Sequence, residues 1–115
     1  MIDESQVMRL EEIGGPALVV SLIDIVQQEL PARIAGVRAA LLGQDRERLG
    51  SAAHSVVSST GHFGAFGLSD VARETELAAA QSDWPRLAES VGRLEGLAED
   101  FLSYLARERA RRSID

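Results

Sequence analysis

Cysteine is absent from the 115 residues, so neither a disulfide framework nor a thiolate metal site can form, and a reducing, cytoplasmic setting is expected. Lysine is absent as well: all 12 cations are arginines, against 18 carboxylates, for a formal net charge of −6. A chain of that sign repels phosphate backbones, so nucleic acid is not an expected partner. Aromatics make up only 4% of residues although apolar residues reach 45%, so the core must come from Leu, Val, Ile and Ala, which pack well between helices. No long uninterrupted apolar run opens the chain. Met1 to Glu12 mix charges with isolated apolar positions, unlike a signal peptide or membrane span. Attachment to a membrane surface is disfavoured by the acidic balance. This length suits one compact domain, residues 1–115.

What is present is helical periodicity. Val7, Leu10 and Ile13 predict a short leading helix from about Glu4 to Ile13, broken by Gly14-Gly15. Pro16 opens a long helix with Leu18, Leu22, Ile25, Ile34, Val37 and Leu41 inward and a kink at Pro31. After Gly43-Gln44-Asp45, with Asp45 as N-cap, a helix from Arg46 to about Phe63 carries the stripe Leu49, Ala53, Val56, Thr60 and Phe63. Gly64 to Gly67 is the next break. A shorter helix, about Leu68 to Ala80, buries Leu68, Val71, Ala72 and Ala79. Asp83 and Pro85 start the last helix, with Leu87, Val91, Leu94, Ala98, Phe101 and Leu105 inward and a fraying end at Arg107 to Arg112. Trp84, Tyr104 and Leu77 read as core or bundle-edge packing. Apolar stripes of this kind bury themselves against one another, so the expected fold is all-α, an antiparallel four-helix bundle with a short additional N-terminal helix.

On the third helix, a rotation of 100° per residue places His54 about 140° from the apolar stripe, facing water. Glu47, Gly50, Ser51, Val57, Ser58, Gly61 and Ala65 share its side and are mostly small, so a partner can approach the imidazole closely. Outward-facing glycines inside a helix cost about 1 kcal/mol each relative to Ala. An exposed imidazole is mostly uncharged at neutral pH, so its ring nitrogen is a competent nucleophile. A bare surface histidine is nonetheless more often a bystander than a reagent. Glu47 is the carboxylate within reach of His54 along the chain, and it reads as a solvated surface residue. His54 and His62 lie about 12 Å apart along the helix axis, too far to share a zinc, and no metal site is expected.

The segment Ala53-His54-Ser55-Val56-Val57-Ser58-Ser59-Thr60-Gly61-His62-Phe63-Gly64-Ala65 resembles the phosphorylation motif of histidine-phosphotransfer (HPt) domains, roughly A-H-x-L-K-G-S-[SA]-x-x-[LF]-G-[AF]. Ala53, His54, Ser59, Thr60, Phe63, Gly64 and Ala65 fit it, and Val56 replaces the usual Leu. The resemblance extends to helix number and to the Asp45 and Asp83 helix entries. It implies a phosphorelay intermediate of two-component signalling that accepts a phosphoryl group on His54 from a receiver aspartate and passes it to another response regulator. It further implies a monomeric carrier without autonomous catalysis, with receiver domains and a hybrid sensor histidine kinase as partners. The resemblance also implies that no cofactor is bound by this chain and that Mg²⁺ is supplied by the receiver. Two positions depart from the family: Val57 stands where a Lys is common and Ser58 where a Gly is. Arg46 and Arg48 are candidate replacement cations but read as solvated surface residues. His62 occupies a position often Asn in the family and is expected to be solvated. Three other readings fit the same residues: a non-phosphorylated adaptor binding a receiver or kinase, the phosphorylation domain of a chemotaxis-type kinase, and an unrelated helical interaction bundle.

Overall fold

The periodicity resolves into four helices in the computed structural model, which describes residues 3–60 and 63–113: α1 (Glu4–Leu42), α2 (Arg46–Thr60), α3 (Phe66–Ala78) and α4 (Trp84–Arg112). There is no strand among the described residues, and no helix there is long and apolar enough to cross a membrane. Three helix starts carry the acidic caps that orphan N–H groups favour. Asp3 accepts from Ser5 N at 3.0 Å, Asp45 from Arg48 N at 3.1 Å and Asp83 from Arg86 N at 2.9 Å.

α1 is two helical segments joined at Gly15, whose φ of 76° and ψ of −179° lie where only glycine sits without strain. The break falls where the Gly14-Gly15 pair predicts it. No kink of that kind occurs at Pro31: the backbone keeps helical dihedrals there, and Pro31 is exposed, so solvent can take up the carbonyl that proline orphans. The inward stripe of the longer segment is Val19, Ile23, Val26, Leu30, Val37 and Leu41. Its phase differs from the predicted one. Leu18, Leu22 and Ile34 are only half-buried, Ile25 is exposed, and Ile13 of the leading segment is 74% exposed.

The stripes predicted for the other helices are buried throughout: Leu49, Ala53, Val56, Thr60 and Phe63; Leu68, Val71, Ala72 and Ala79; and Leu87, Val91, Leu94, Ala98, Phe101 and Leu105. α1 packs against α2 and α4, and α3 packs against the same two helices, so the stripes meet in one core. Phe63 and Phe101 meet there in a tilted pair with ring centroids 6.2 Å apart. Tyr104 is buried, and burial together with nearby Glu108 raises its phenol above the ordinary value. Leu77, expected in the core or at its edge, is instead 72% exposed.

Three helix ends differ from expectation, the first being that of α2, which ends at Thr60 rather than at about Phe63. α3 begins at Phe66, two residues before Leu68, and Ala65 takes its cap position. The arginine-rich end of α4 does not fray; the helix is intact to Arg112, whose side chain is only 9% exposed. Arg112 donates to Glu11 of the leading segment at 3.0 Å and to Glu108 at 3.0 Å, while Arg109 donates to Asp24 at 2.6 Å. Two carboxylates distant in sequence, Glu11 and Asp24, therefore fasten this end, together with Glu108 of the same helix.

Between α2 and α3 the chain turns through Gly64, with φ of 67°. The leading segment lies against this turn: Asp3 N donates to Gly64 O at 2.9 Å. A Cβ at Gly64 would lie 2.8 Å from Asp3 Cβ and 3.0 Å from Asp3 O. Backbone conformation and close approach therefore both require glycine there.

Candidate functional site

α2 is fixed on its inner side by Leu49, Ala53 and Val56, which leaves the opposite side to solvent. On its α1 side, Arg33 donates to Ser55 O at 2.7 Å and to Ser59 Oγ. On its α3 side, Thr60 Oγ1 and Ser69 Oγ share a hydrogen bond of 2.6 Å, and Gly50 faces Ala79. These contacts set the rotation of α2 and the register of α3 along it.

His54 stands on the free side with 68% of its side chain exposed. Its Nδ1 lies 3.1 Å and 3.0 Å from the two carboxylate oxygens of Glu76, on α3. An ionised carboxylate can only accept, so Nδ1 is the donor in this contact, and Nε2 has no hydrogen-bond partner among the described residues. Sequence reasoning missed Glu76 and pointed to Glu47. Glu47 is exposed and lines the same shallow depression as His54, Gly50, Ser51 and Glu76, but makes no bond to the ring. The signal for Glu76 lies in register: an antiparallel α3 that sets Ser69 opposite Thr60 brings Glu76 opposite His54.

The residues expected to surround the imidazole divide. Glu47, Ser51 and Ser58 are exposed, and Ser58 Oγ donates to Ser55 O at 3.1 Å rather than to the ring. Gly50 is half-buried against Ala79, where an added Cβ would find ordinary contact at 3.7 Å, so it does not project freely into solvent. Val57 is half-buried and packs on the core. Gly61 and His62 lie outside the described residues. Ala65 does not share this face: it is 2% exposed, because the chain turns at Gly64 and the helical rotation cannot be carried past that point.

The two candidate cations also separate. Arg46 is no solvated surface residue. It donates from Nη1 to Ala79 O at 2.9 Å and Ser82 O at 2.8 Å, closing carbonyls at the end of α3, and its guanidinium lies 4.6 Å from the Trp84 ring centroid. Arg48 is solvated as expected, 3.8 Å from Asp45, on the side of α2 that faces α1. No group of three or more His, Cys, Asp or Glu side chains is placed to hold a metal among the described residues.

The chain is matched by the family model described as Hpt domain over residues 21–108. No curated protein matches it in sequence. Among solved structures it is similar to histidine-containing phosphotransfer protein B (HptB) from Pseudomonas aeruginosa PAO1, with a TM-score of 0.86 and 24% identity, covering 96% of this chain and 95% of that one. That likeness shows that the two share a fold. With well over half of its residues matched by the family model, the chain belongs to the Hpt domain family.

Proposed function

We propose that this protein is a phosphorelay intermediate in which Nε2 of His54 is the phosphoryl carrier. One observation carries the reading: an exposed imidazole whose Nδ1 is held by Glu76 while Nε2 has no hydrogen-bond partner among the described residues. A receiver bearing an aspartyl phosphate docks over the small-residue face of α2. The Nε2 lone pair forms the N–P bond as the P–O bond to aspartate breaks, and aspartate leaves as a carboxylate. The Nδ1 proton stays on the ring, and Glu76 faces the positive charge the ring gains. The reverse sequence loads a second receiver.

Mg²⁺ in the receiver's acidic pocket supplies charge neutralisation. What remains for this chain is positioning, so it acts as a carrier without catalysis of its own. Its partners are receiver domains and a hybrid histidine kinase. We read the architecture as an antiparallel four-helix bundle led by the short Glu4–Gly14 segment, a single monomeric domain over residues 1–115 working in the cytoplasm.

The test is label transfer. Receivers from the same genome, phosphorylated at aspartate with Mg²⁺ present, are mixed with wild type and with His54→Gln. Acid-labile, alkali-stable label on wild type alone is the expected result. No transfer from any receiver, with binding intact in both proteins, would replace the carrier reading with that of a non-phosphorylated adaptor.

A further inference from the structure

The contact between His54 and Glu76 cannot hold itself in place. The two side chains are 68% and 34% exposed, so water competes for both, and the bond is too weak to fix one helix along another. A shift of α3 by one residue, about 1.5 Å of rise and 100° of rotation, takes Glu76 off the face that meets the ring. The α3 backbone runs close to α2 at this level: a Cβ on Gly50 would stand 3.8 Å from Glu76 O and 3.7 Å from Ala79 Cβ. Whatever fixes α3 along α2 there decides whether Nδ1 meets its carboxylate.

Two polar clamps hold α3 on α2. One is the hydrogen bond between Thr60 and Ser69, near the start of α3. The other is Arg46, at the start of α2, whose Nη1 donates to Ala79 O at 2.9 Å and to Ser82 O at 2.8 Å. Ala79 lies one turn beyond Glu76 and Ser69 two turns before it, so the Arg46 clamp is the nearer of the two. Neither carbonyl accepts from a backbone N–H among the described residues, and the last turn of α3 has no basic residue of its own. The neighbouring helix thus supplies the donor that this helix end lacks. The guanidinium is held from a second side by Trp84, at the start of α4, with the ring centroid 4.6 Å away.

We infer that Arg46 is a positioning residue for the carrier histidine: by gripping the end of α3 it sets Glu76 against Nδ1 and so keeps Nε2 as the nitrogen that reacts. It acts through Glu76 and bonds to neither side chain of the pair. The inference rests on the carrier reading above and deepens it, placing part of the control of the ring about 12 Å along α2 from His54.

The experiment compares wild type, Arg46→Met, Arg46→Lys, Glu76→Ala and the double variant Arg46→Met with Glu76→Ala. Methionine keeps an apolar stem against Trp84 and removes the donors; lysine restores a donor. Nitrogen NMR of the unphosphorylated proteins, in alkaline buffer where the ring is neutral, reads which ring nitrogen carries the proton. Nδ1–H is expected in wild type and Arg46→Lys, and a mixture of both tautomers in Arg46→Met and Glu76→Ala. Loading is then followed from a phosphorylated receiver of the same genome and from phosphoramidate, which is too small to dock. Arg46→Met is expected to slow about two- to tenfold with both donors and to take label on both nitrogens. The double variant is expected to be no slower than Glu76→Ala, because the two changes remove one interaction. Arg112→Met, which loosens the opposite end of the bundle, is the stability control and keeps the wild-type tautomer and rates. A wild-type tautomer in Arg46→Met would overturn the inference, as would slowing that adds to that of Glu76→Ala. Slowing with the receiver alone would overturn it too, by making Arg46 a docking contact. If Arg46→Met does not fold, Arg46→Gln takes its place in the same comparison. If neither donor labels His54 of wild type, the carrier reading falls, and the tautomer comparison still decides the role of Arg46.

Discussion

Replacing Glu76 is the most direct probe of the site. Its carboxylate is the one group hydrogen-bonded to the His54 ring among the described residues, with both oxygens about equally near Nδ1. Because the ring is 68% exposed, water competes for Nδ1, and the bond is worth the modest net value of about 0.5–1.5 kcal/mol rather than that of a buried charge pair. At 1.36 kcal/mol per decade that is about two- to twelvefold in rate. Glu76→Ala is therefore expected to slow loading of His54 by about that factor, and to allow both ring nitrogens to take label. Glu76→Gln keeps an acceptor for Nδ1–H and loses the charge that faces the phosphorylated ring. Its loading stays nearer wild type, and its phosphohistidine is less stable. Rapid-quench loading from a receiver gives the rates, and nitrogen and phosphorus NMR of the phosphoprotein identifies the bonded nitrogen. Wild-type loading and exclusive Nε2 phosphorylation in Glu76→Ala would refute the argument that Glu76 positions the ring.

Gly64→Ala combines a left-handed backbone with a Cβ driven against Asp3, so a loss of about 2–4 kcal/mol is expected; a thermal melt within 2 °C of wild type would contradict it. Arg112→Met leaves Glu11 and Glu108 facing each other and detaches the leading segment from α4, costing about 1–3 kcal/mol by urea denaturation, more than Arg107→Met at an exposed site of the same helix. Arg38 holds Glu95 below its ordinary value near 4.5, so this pair's contribution is present above pH 4.5 and is lost as pH falls through the lowered folded value. Glu95→Gln should lower stability at neutral pH and flatten the acid limb of the stability curve; an unchanged acid limb would show that the pair does not form in solution.

Where an amphipathic stripe stood alone in the sequence, it could be read directly: Leu49, Ala53, Val56 and Thr60 give one inward phase, which places His54 outward without further information. The segment from Leu18 to Val26 could not be read this way. Leu18, Val19, Val20, Leu22, Ile23, Ile25 and Val26 are apolar almost all round the helix, so periodicity names no face, and only packing against α2 and α4 selects Ile23 over Ile25. The errors at Ala65 and at the end of α4 share a cause: local rules were carried past the point where a distant contact takes over. Gly64 turns the chain before Ala65, and Glu11, 101 residues from Arg112, holds the helix end. Glu76 was out of reach for the same reason, since register between helices is written in contacts rather than along the chain.

Arg46 ties the start of the helix that bears the histidine to the carbonyls that end its neighbour. Neither helix can slide along the other without breaking that grip, so the register that sets Glu76 beside His54 is held by a residue that touches neither of them. On the carrier reading proposed above, the direction of phosphate flow would then be set by the relative loading of the neighbouring receivers and not by a change in this pair of helices.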